Sequence, residues 1–281
     1  MRRHTSRYRV QIYDIDAYGD LSSPSLLRFL QQTASDASAA VGFDVEWYER
    51  HGTLWVIRRT VVEVAQPARY RDQLAVDTWV SDIRRVRSQR EYEVRLIGAD
   101  EVVARGWSDW VYVDVNRGRP IRAPEAMCAA LMPDGVVAQP REARPVEPPP
   151  ACAFRTERRV EFDELDSVAH VNNANYAGYV EQDLWDALAA SGWRIDPFAR
   201  VERLRLMRHD LEYLASAEYR DRLQGVTWVT EQRPDGFTSA HLIERDGARI
   251  LHARSEWRWQ GGPMPPPLRA AVAALDPARG P

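Results

Sequence analysis

A chain of 281 residues is long enough for one large domain or two ordinary ones. At 44% hydrophobic and 28% charged it can bury a core, which excludes a disordered polymer. The net charge of −3 gives no reason to expect nucleic acid as a partner.

Every basic residue other than histidine is arginine, a bias that a GC-rich genome explains better than any function. The two cysteines, Cys128 and Cys152, cannot form a disulfide framework, and no Cys/His spacing suits a metal. The expectation is therefore no metal, no cofactor and a reducing, cytoplasmic setting. The basic N-terminal stretch lacks the apolar segment of a signal peptide. No apolar run approaches the roughly 18 residues of a membrane span.

Residues 7–15 alternate polar and apolar and read as a strand. Ser22, Ser23 and Pro24 then open a helix, serine suiting the N-cap and proline the first turn. Leu26, Leu27, Leu30, Ala34, Ala37 and Val41 fall at helical spacing, and Gly42 suits the stop. Strand-like runs follow at 53–64, 73–81, 88–97 and 102–113. One strand, one long helix and several antiparallel strands make an α+β unit, with the helix covering one sheet face. Residues 121–153 interrupt the pattern with proline at a density that suits neither helix nor sheet. They read as a linker, with a short helix near 123–131.

The pattern restarts with a strand over 155–162. Asn172 or Asn173 caps a helix running to about Ser191, with Tyr176, Val180, Leu184 and Leu188 on one face and Gly192 at its end. Strands follow at 202–213, 222–231, 238–244 and 249–259. The tail, 261–281, is rich in proline and alanine and is expected to be partly mobile.

The halves repeat. Residues 12–32 lie over 162–182 at an offset of 150, 70–80 lie over 219–229 at 149, and 104–110 lie over 253–257 with a short gap. Three matches in register indicate duplication. The expected organisation is an N-terminal domain at 7–120, a linker at 121–153, a C-terminal domain at 154–260 and a tail at 261–281. Two such units can pair as an intrachain pseudo-dimer, leaving the whole a monomer or a homodimer of pseudo-dimers.

The copies differ most over 163–182. Asp166 matches Asp16, but His170 stands where the first copy has Asp20, and Asn172 and Asn173 stand over Ser22 and Ser23. One constellation of carboxylate, imidazole and amides per chain is expected, in the second copy.

These residues resemble a known family. The pattern Asp166, three residues, His170-Val171-Asn172-Asn173, two residues, Tyr176, before a long helix, resembles the hotdog-fold thioesterases. The tandem arrangement is similar to the acyl-ACP thioesterases. Gly52, Trp55, Val56 and Arg58 after the first helix, Thr78-Trp79, and Ser108 with Trp110 fit that narrower group. The resemblance covers roughly residues 8–259. It implies two tandem hotdog domains and hydrolysis of acyl-ACP thioesters to a free fatty or polyketide-like acid, with acyl carrier protein or a coenzyme A thioester as partner. It places Asp166 on the family's catalytic aspartate and His170 on its histidine. Two positions depart from the plant members: Val168 replaces an asparagine, and Ser216-Ala217 replaces a Glu-Cys pair. A cysteine nucleophile is thereby unsupported, while an aspartate-driven reaction survives.

Asp166 can act as general base or nucleophile, with His170 and the amides of the helix start stabilising charge. The competing reading of Asp166 is a plain turn residue, and of His170 a structural hydrogen bond. Asn172 is a catalytic candidate and Asn173 a substrate-binding one, although both suit capping. Tyr176 is a pocket or core residue. Glu181 is either a carboxylate that polarises water or a solvated, paired one. Arginines at 84, 85, 87 and 90, and at 203, 205 and 208, suit an acidic carrier or coenzyme A phosphates, or a solvated face. The alternatives to acyl-ACP hydrolysis are an acyl-CoA thioesterase and a non-catalytic acyl-thioester-binding protein.

Overall fold

A computed structural model of the chain describes residues 3–99, 101–132, 147–199 and 201–277. Two compact units divide it, Met1–Ala143 and Arg144–Pro281. The first contains β1 (His4–Arg9), α1 (Ser23–Ala39), α2 (Val45–His51), β2 (Thr53–Val64), β3 (Gln73–Arg84), β4 (Arg87–Leu96), β5 (Glu101–Asp114), β6 (Arg119–Pro120) and α3 (Glu125–Leu131). The second contains β7 (Phe154–Arg159), α4 (Asn175–Ala190), β8 (Leu204–Tyr213), β9 (Arg222–Arg233), β10 (Gly236–Arg245), β11 (Ala248–Trp259) and α5 (Pro266–Ala274).

Within the first unit the strands run β1-β3-β4-β5-β2, every pair antiparallel. Within the second they run β7-β9-β10-β11-β8, again antiparallel. The duplication holds at single-residue resolution. His4 pairs with Thr78 in one copy and Phe154 with Thr227 in the other, at the offsets of 150 and 149 read from the sequence. The register breaks at the same place too. The β3–β4 ladder skips Ser81, and the β9–β10 ladder skips Thr230. A one-residue slip would turn each strand's apolar set to the wrong face, so shared bulges mark a shared packing solution.

Each unit has the long helix and antiparallel sheet expected of the hotdog fold. Ser22 caps α1 by accepting from the Ser25 N–H, Pro24 lies in the first turn, and Gly42 follows the helix at φ 91°. Leu26, Leu27, Leu30 and Ala34 bury its apolar stripe. In α4 the stripe is Tyr176, Val180, Leu184 and Leu188, each at most 2% exposed. A polar pin joins helix to sheet at matching positions. Tyr8 Oη meets Thr33 Oγ1 at 3.0 Å in the first copy, and Arg158 pairs with Asp183 in the second. Asp183 also accepts from Thr156 Oγ1 at 2.8 Å. Gly225 lies against this pin, and a Cβ there would stand 2.2 Å from Asp183 Oδ2.

Helices α2 and α5 differ from the sequence expectation, while α3 is the short helix expected near 123–131. Helix α2 is additional, capped by Asp44 on the Trp47 N–H at 2.8 Å and closed by Gly52 at φ 58°. Its seven residues are too few for a periodic signal. Helix α3 falls in the expected linker and buries Met127 and Leu131, and residues 133–146 of that linker lie outside the described residues. Helix α5 falls in the expected tail, whose last residues, 278–281, also lie outside them. Leu268, Ala271, Val272 and Leu275 are spaced i, i+3, i+4, i+7 and pack with Leu184, Leu188, Phe237 and Trp257. Among the described residues, no helix is long and apolar enough to cross a membrane.

Candidate active site

The chain reaches α4 through a tight turn that is nearly a copy of the one before α1. Asp166 Oδ1 accepts from the backbone N–H of Val168 at 3.0 Å and of His170 at 3.3 Å, and the Asp166 N–H donates to the His170 carbonyl at 2.8 Å. Asp16 does the same with the N–H groups of Tyr18 (2.8 Å) and Asp20 (3.1 Å) and the Asp20 carbonyl (2.8 Å). An aspartate suits such a turn because its short carboxylate reaches backbone donors two and four residues on. One oxygen of Asp166 is thus structural, and the turn-residue reading accounts for it. The second oxygen, Oδ2, takes no bond among the described residues.

His170 differs in kind from its counterpart. Each occupies an isolated antiparallel bridge, Asp20 opposite Arg69 and His170 opposite Glu218. In the first copy the bridge carries an ion pair, Arg69 Nε to Asp20 Oδ1 at 3.8 Å. In the second the half-buried imidazole makes no hydrogen bond among the described residues. The structure therefore does not use His170 as a side-chain tether, and both ring nitrogens remain available.

Ala169 shares the turn and sits at φ 61°, where the first copy has Gly19 at φ 81°. A Cβ in the left-handed region costs about 1–2 kcal/mol, while glycine forfeits roughly 0.5–1 kcal/mol through the unfolded chain. Ala169→Gly should therefore raise the unfolding free energy by a few tenths to about 1 kcal/mol, read from urea midpoints. A lower midpoint would mean that the turn is unstrained.

Helix α4 itself starts later than the sequence suggested. Its N-cap position is Ala174, without a side-chain cap. Asn172 instead bridges the turn, its Oδ1 accepting from the Ala174 N–H at 2.9 Å and its carbonyl from the Asn175 N–H at 2.9 Å. Asn175 Nδ2 donates to the Glu164 carbonyl at 2.8 Å. Asn173 contributes its carbonyl, which accepts from Tyr213 Oη at 3.2 Å, and its N–H donates to nothing among the described residues. Neither asparagine is an N-cap.

Tyr176 is buried, and its hydroxyl accepts from the Ala217 N–H at 3.2 Å. Burial pushes its phenol up to about 12, with the Ala217 N–H pulling weakly the other way. It is a neutral group that ties the helix start to the segment holding Ser216-Ala217. The same segment accepts from the Val171 N–H through the Ala217 carbonyl at 2.9 Å.

Glu181 is paired. Its Oε1 stands 3.1 Å from His209 Nε2, and His209 Nδ1 stands 2.8 Å from Ser255 Oγ. Beyond lies a second buried group: Ser239 Oγ is 2.8 Å from His241 Nε2, His241 Nδ1 is 2.9 Å from Thr227 Oγ1, and Trp257 Nε1 donates to Ser239 at 3.1 Å. His209, His241, Ser239 and Ser255 are fully buried. Sequence reasoning missed these residues. Their signal was polar residues at the inward-facing positions of otherwise apolar strands.

The arginine runs do not form two solvated faces. Arg84, Arg85 and Arg87 are exposed, but Arg90 is buried. Arg203 is buried and bonds Gln260, and Arg205 and Arg208 are half-buried. Among the described residues no cluster suits a metal ion.

The acyl-ACP thioesterase N-terminal domain profile matches residues 2–131, and the acyl-ACP thioesterase C-terminal domain profile matches residues 149–259. A chloroplastic palmitoyl-acyl carrier protein thioesterase of Arabidopsis thaliana is 26% identical over 270 residues, covering 89% of this chain and 62% of that protein. The chain spans about three-fifths of the length of the curated relatives it matches. The fold is shared with the 12:0-ACP thioesterase of Umbellularia californica (TM-score 0.77, 20% identity, 92% of this chain and 94% of that one). It is shared also with an acyl-ACP thioesterase of Bacteroides thetaiotaomicron (TM-score 0.72, 16% identity, 91% and 98%).

Proposed function

The chain belongs to the acyl-ACP thioesterase family, and from that premise we propose that it hydrolyses acyl-ACP thioesters to free acids at the turn before α4. The observation that carries the reading is His170, an imidazole with no structural bond, four residues from a carboxylate with one oxygen uncommitted. Asp166 Oδ2 takes a proton from water as the water oxygen attacks the thioester carbonyl. The carbonyl electron pair moves onto oxygen, where the Asn173 N–H and a ring N–H of His170 offer donors beside the positive end of α4. Collapse re-forms the carbonyl, breaks the C–S bond and sends the electron pair to sulfur, which takes the proton back as the carrier's thiol.

Asn172 acts here as a positioning residue, holding the turn against the helix, and Tyr176 as a neutral wall. Glu181, further along the same helix, pairs with His209 of β8. The carrier domain is the expected protein partner, and a cytoplasmic setting is part of the same reading. The test is thiol release from matched acyl-ACP and acyl-CoA panels of several chain lengths. Faster release from acyl-ACP supports the proposal. Preference for acyl-CoA moves it to the acyl-CoA thioesterases, and tight binding with no release on any substrate leaves a binding protein.

A further inference from the structure

The N-terminal unit buries an arginine, Arg90, that no carboxylate neutralises among the described residues. Arg90 lies on β4 opposite Val80 of β3 and is 6% exposed. Its one hydrogen bond is long, 3.5 Å from Nη1 to Thr78 Oγ1, and among the described residues no carboxylate reaches it. Burial lowers its pKa, opposed by the neighbouring Tyr92 and Tyr48, but a guanidinium stays charged in proteins. An unpaired buried charge is among the more destabilising features a fold can carry. Other arginines turned inward in this chain have partners: Arg95 bonds Asp77 at 2.6 Å, and Arg158 pairs with Asp183.

Arg90 faces a cavity of about 160 Å³. Arg3 and His4 also line it, together with the apolar side chains of Ala37, Val41 and Leu131. Nearby acids are engaged. Asp77 bonds Thr5 and Arg95, and Asp36 bonds Ser6 and Gln32. Tyr48 and Trp55 pack on the cluster that contains Val80 and Leu131. Arg90 thus has apolar neighbours lining the cavity and, among the described residues, no carboxylate partner.

We propose that this cavity binds a small free monocarboxylate with a short apolar stem, its carboxylate on Arg90 and its stem against Ala37, Val41 and Leu131. The Arg90 guanidinium matches one carboxylate by paired N–H donors, and the apolar lining favours a hydrocarbon stem over inorganic phosphate. The site goes beyond the proposed hydrolysis and does not depend on it.

Calorimetric titration of the full chain with hexanoate, hexanol and phosphate tests this. Hexanoate should saturate one site, with hexanol and phosphate weaker by about tenfold or more. Arg90→Met should lose hexanoate affinity by about tenfold or more, while its ligand-free melting temperature equals or exceeds that of wild type, because removing an unpaired buried charge is not destabilising. Asp166→Asn should keep the affinity, which separates this site from the proposed catalytic one. Undiminished hexanoate binding by Arg90→Met, equal binding of hexanol, tighter binding of phosphate, or no saturable hexanoate binding would each overturn the proposal. If Arg90→Met does not fold, the wild-type comparison of hexanoate with hexanol and the weaker binding expected of Arg90→Lys decide.

Discussion

Asp166→Asn is expected to lower kcat/KM for acyl-ACP hydrolysis by roughly 10²–10⁴-fold with little change in melting temperature, the range for losing a positioned base. The small stability effect follows from the turn geometry. Asparagine keeps a side-chain oxygen for the Val168 and His170 N–H groups that Asp166 Oδ1 serves. What it removes is the charge and the basic oxygen. The duplication supplies an internal control. Asp16→Asn changes the same turn, with the same pair of backbone donors, beside Asp20 instead of an imidazole. It should leave the rate within about twofold of wild type, as expected for a residue outside the chemistry. His170→Ala should also lower the rate, by about 10²-fold or more, without the loss of stability that follows removal of a structural hydrogen bond. Wild-type rates for Asp166→Asn would refute the assignment of the base. Equal losses in Asp16→Asn and Asp166→Asn would show that the turn matters only as structure.

The duplication explains why so much of the fold was legible in the sequence. An offset of 150 that becomes 149 between residues 32 and 70 is a statement about strand register, and the pairing of His4 with Thr78 and Phe154 with Thr227 is its structural form. Strand β2 spans Thr53–Val64, the range its pattern marked, because β-branched and aromatic residues fill it and turns bound it. Local chemistry was less legible where a side chain has two equally good local roles. Asn172 looks like an N-cap from spacing alone, yet it closes a turn on Ala174, two residues before the position that capping would need. Non-local chemistry was not legible. Glu181 and His209 are 28 residues apart, and nothing in either neighbourhood names the other. Arg90 belongs to a run of arginines that reads as a charged face, and only its pairing with Val80 across the tight turn at Arg85, φ 54°, gives its direction. Applied from Val80, the ladder turns Arg90 inward.

Buried His241 should also set the acid stability of the second unit. His241 is fully buried between Thr227 and Ser239. Burial, helped by the nearby His209 and His252, pulls its pKa from 6.5 down to about 3, so it is neutral in the fold. In the unfolded chain the imidazole takes a proton near its ordinary value of about 6.5. Above that pH neither state is protonated and His241 costs nothing. As pH falls below it, the unfolded state binds the proton and the folded state does not, so folding stability declines. The decline continues until the folded pKa of about 3 is passed. At about 1.4 kcal/mol per pH unit the accumulated loss is on the order of 5 kcal/mol, comparable with the whole stability of many domains. Urea unfolding between pH 7 and pH 3 should show this decline. Replacing the titrating ring by a neutral amide, His241→Gln, should flatten it, even if the variant is less stable at pH 7 through imperfect bonds to Thr227 and Ser239. The slope decides, not the absolute stability. A variant that loses stability as steeply as wild type between pH 6.5 and pH 3 would place the acid sensitivity in other groups.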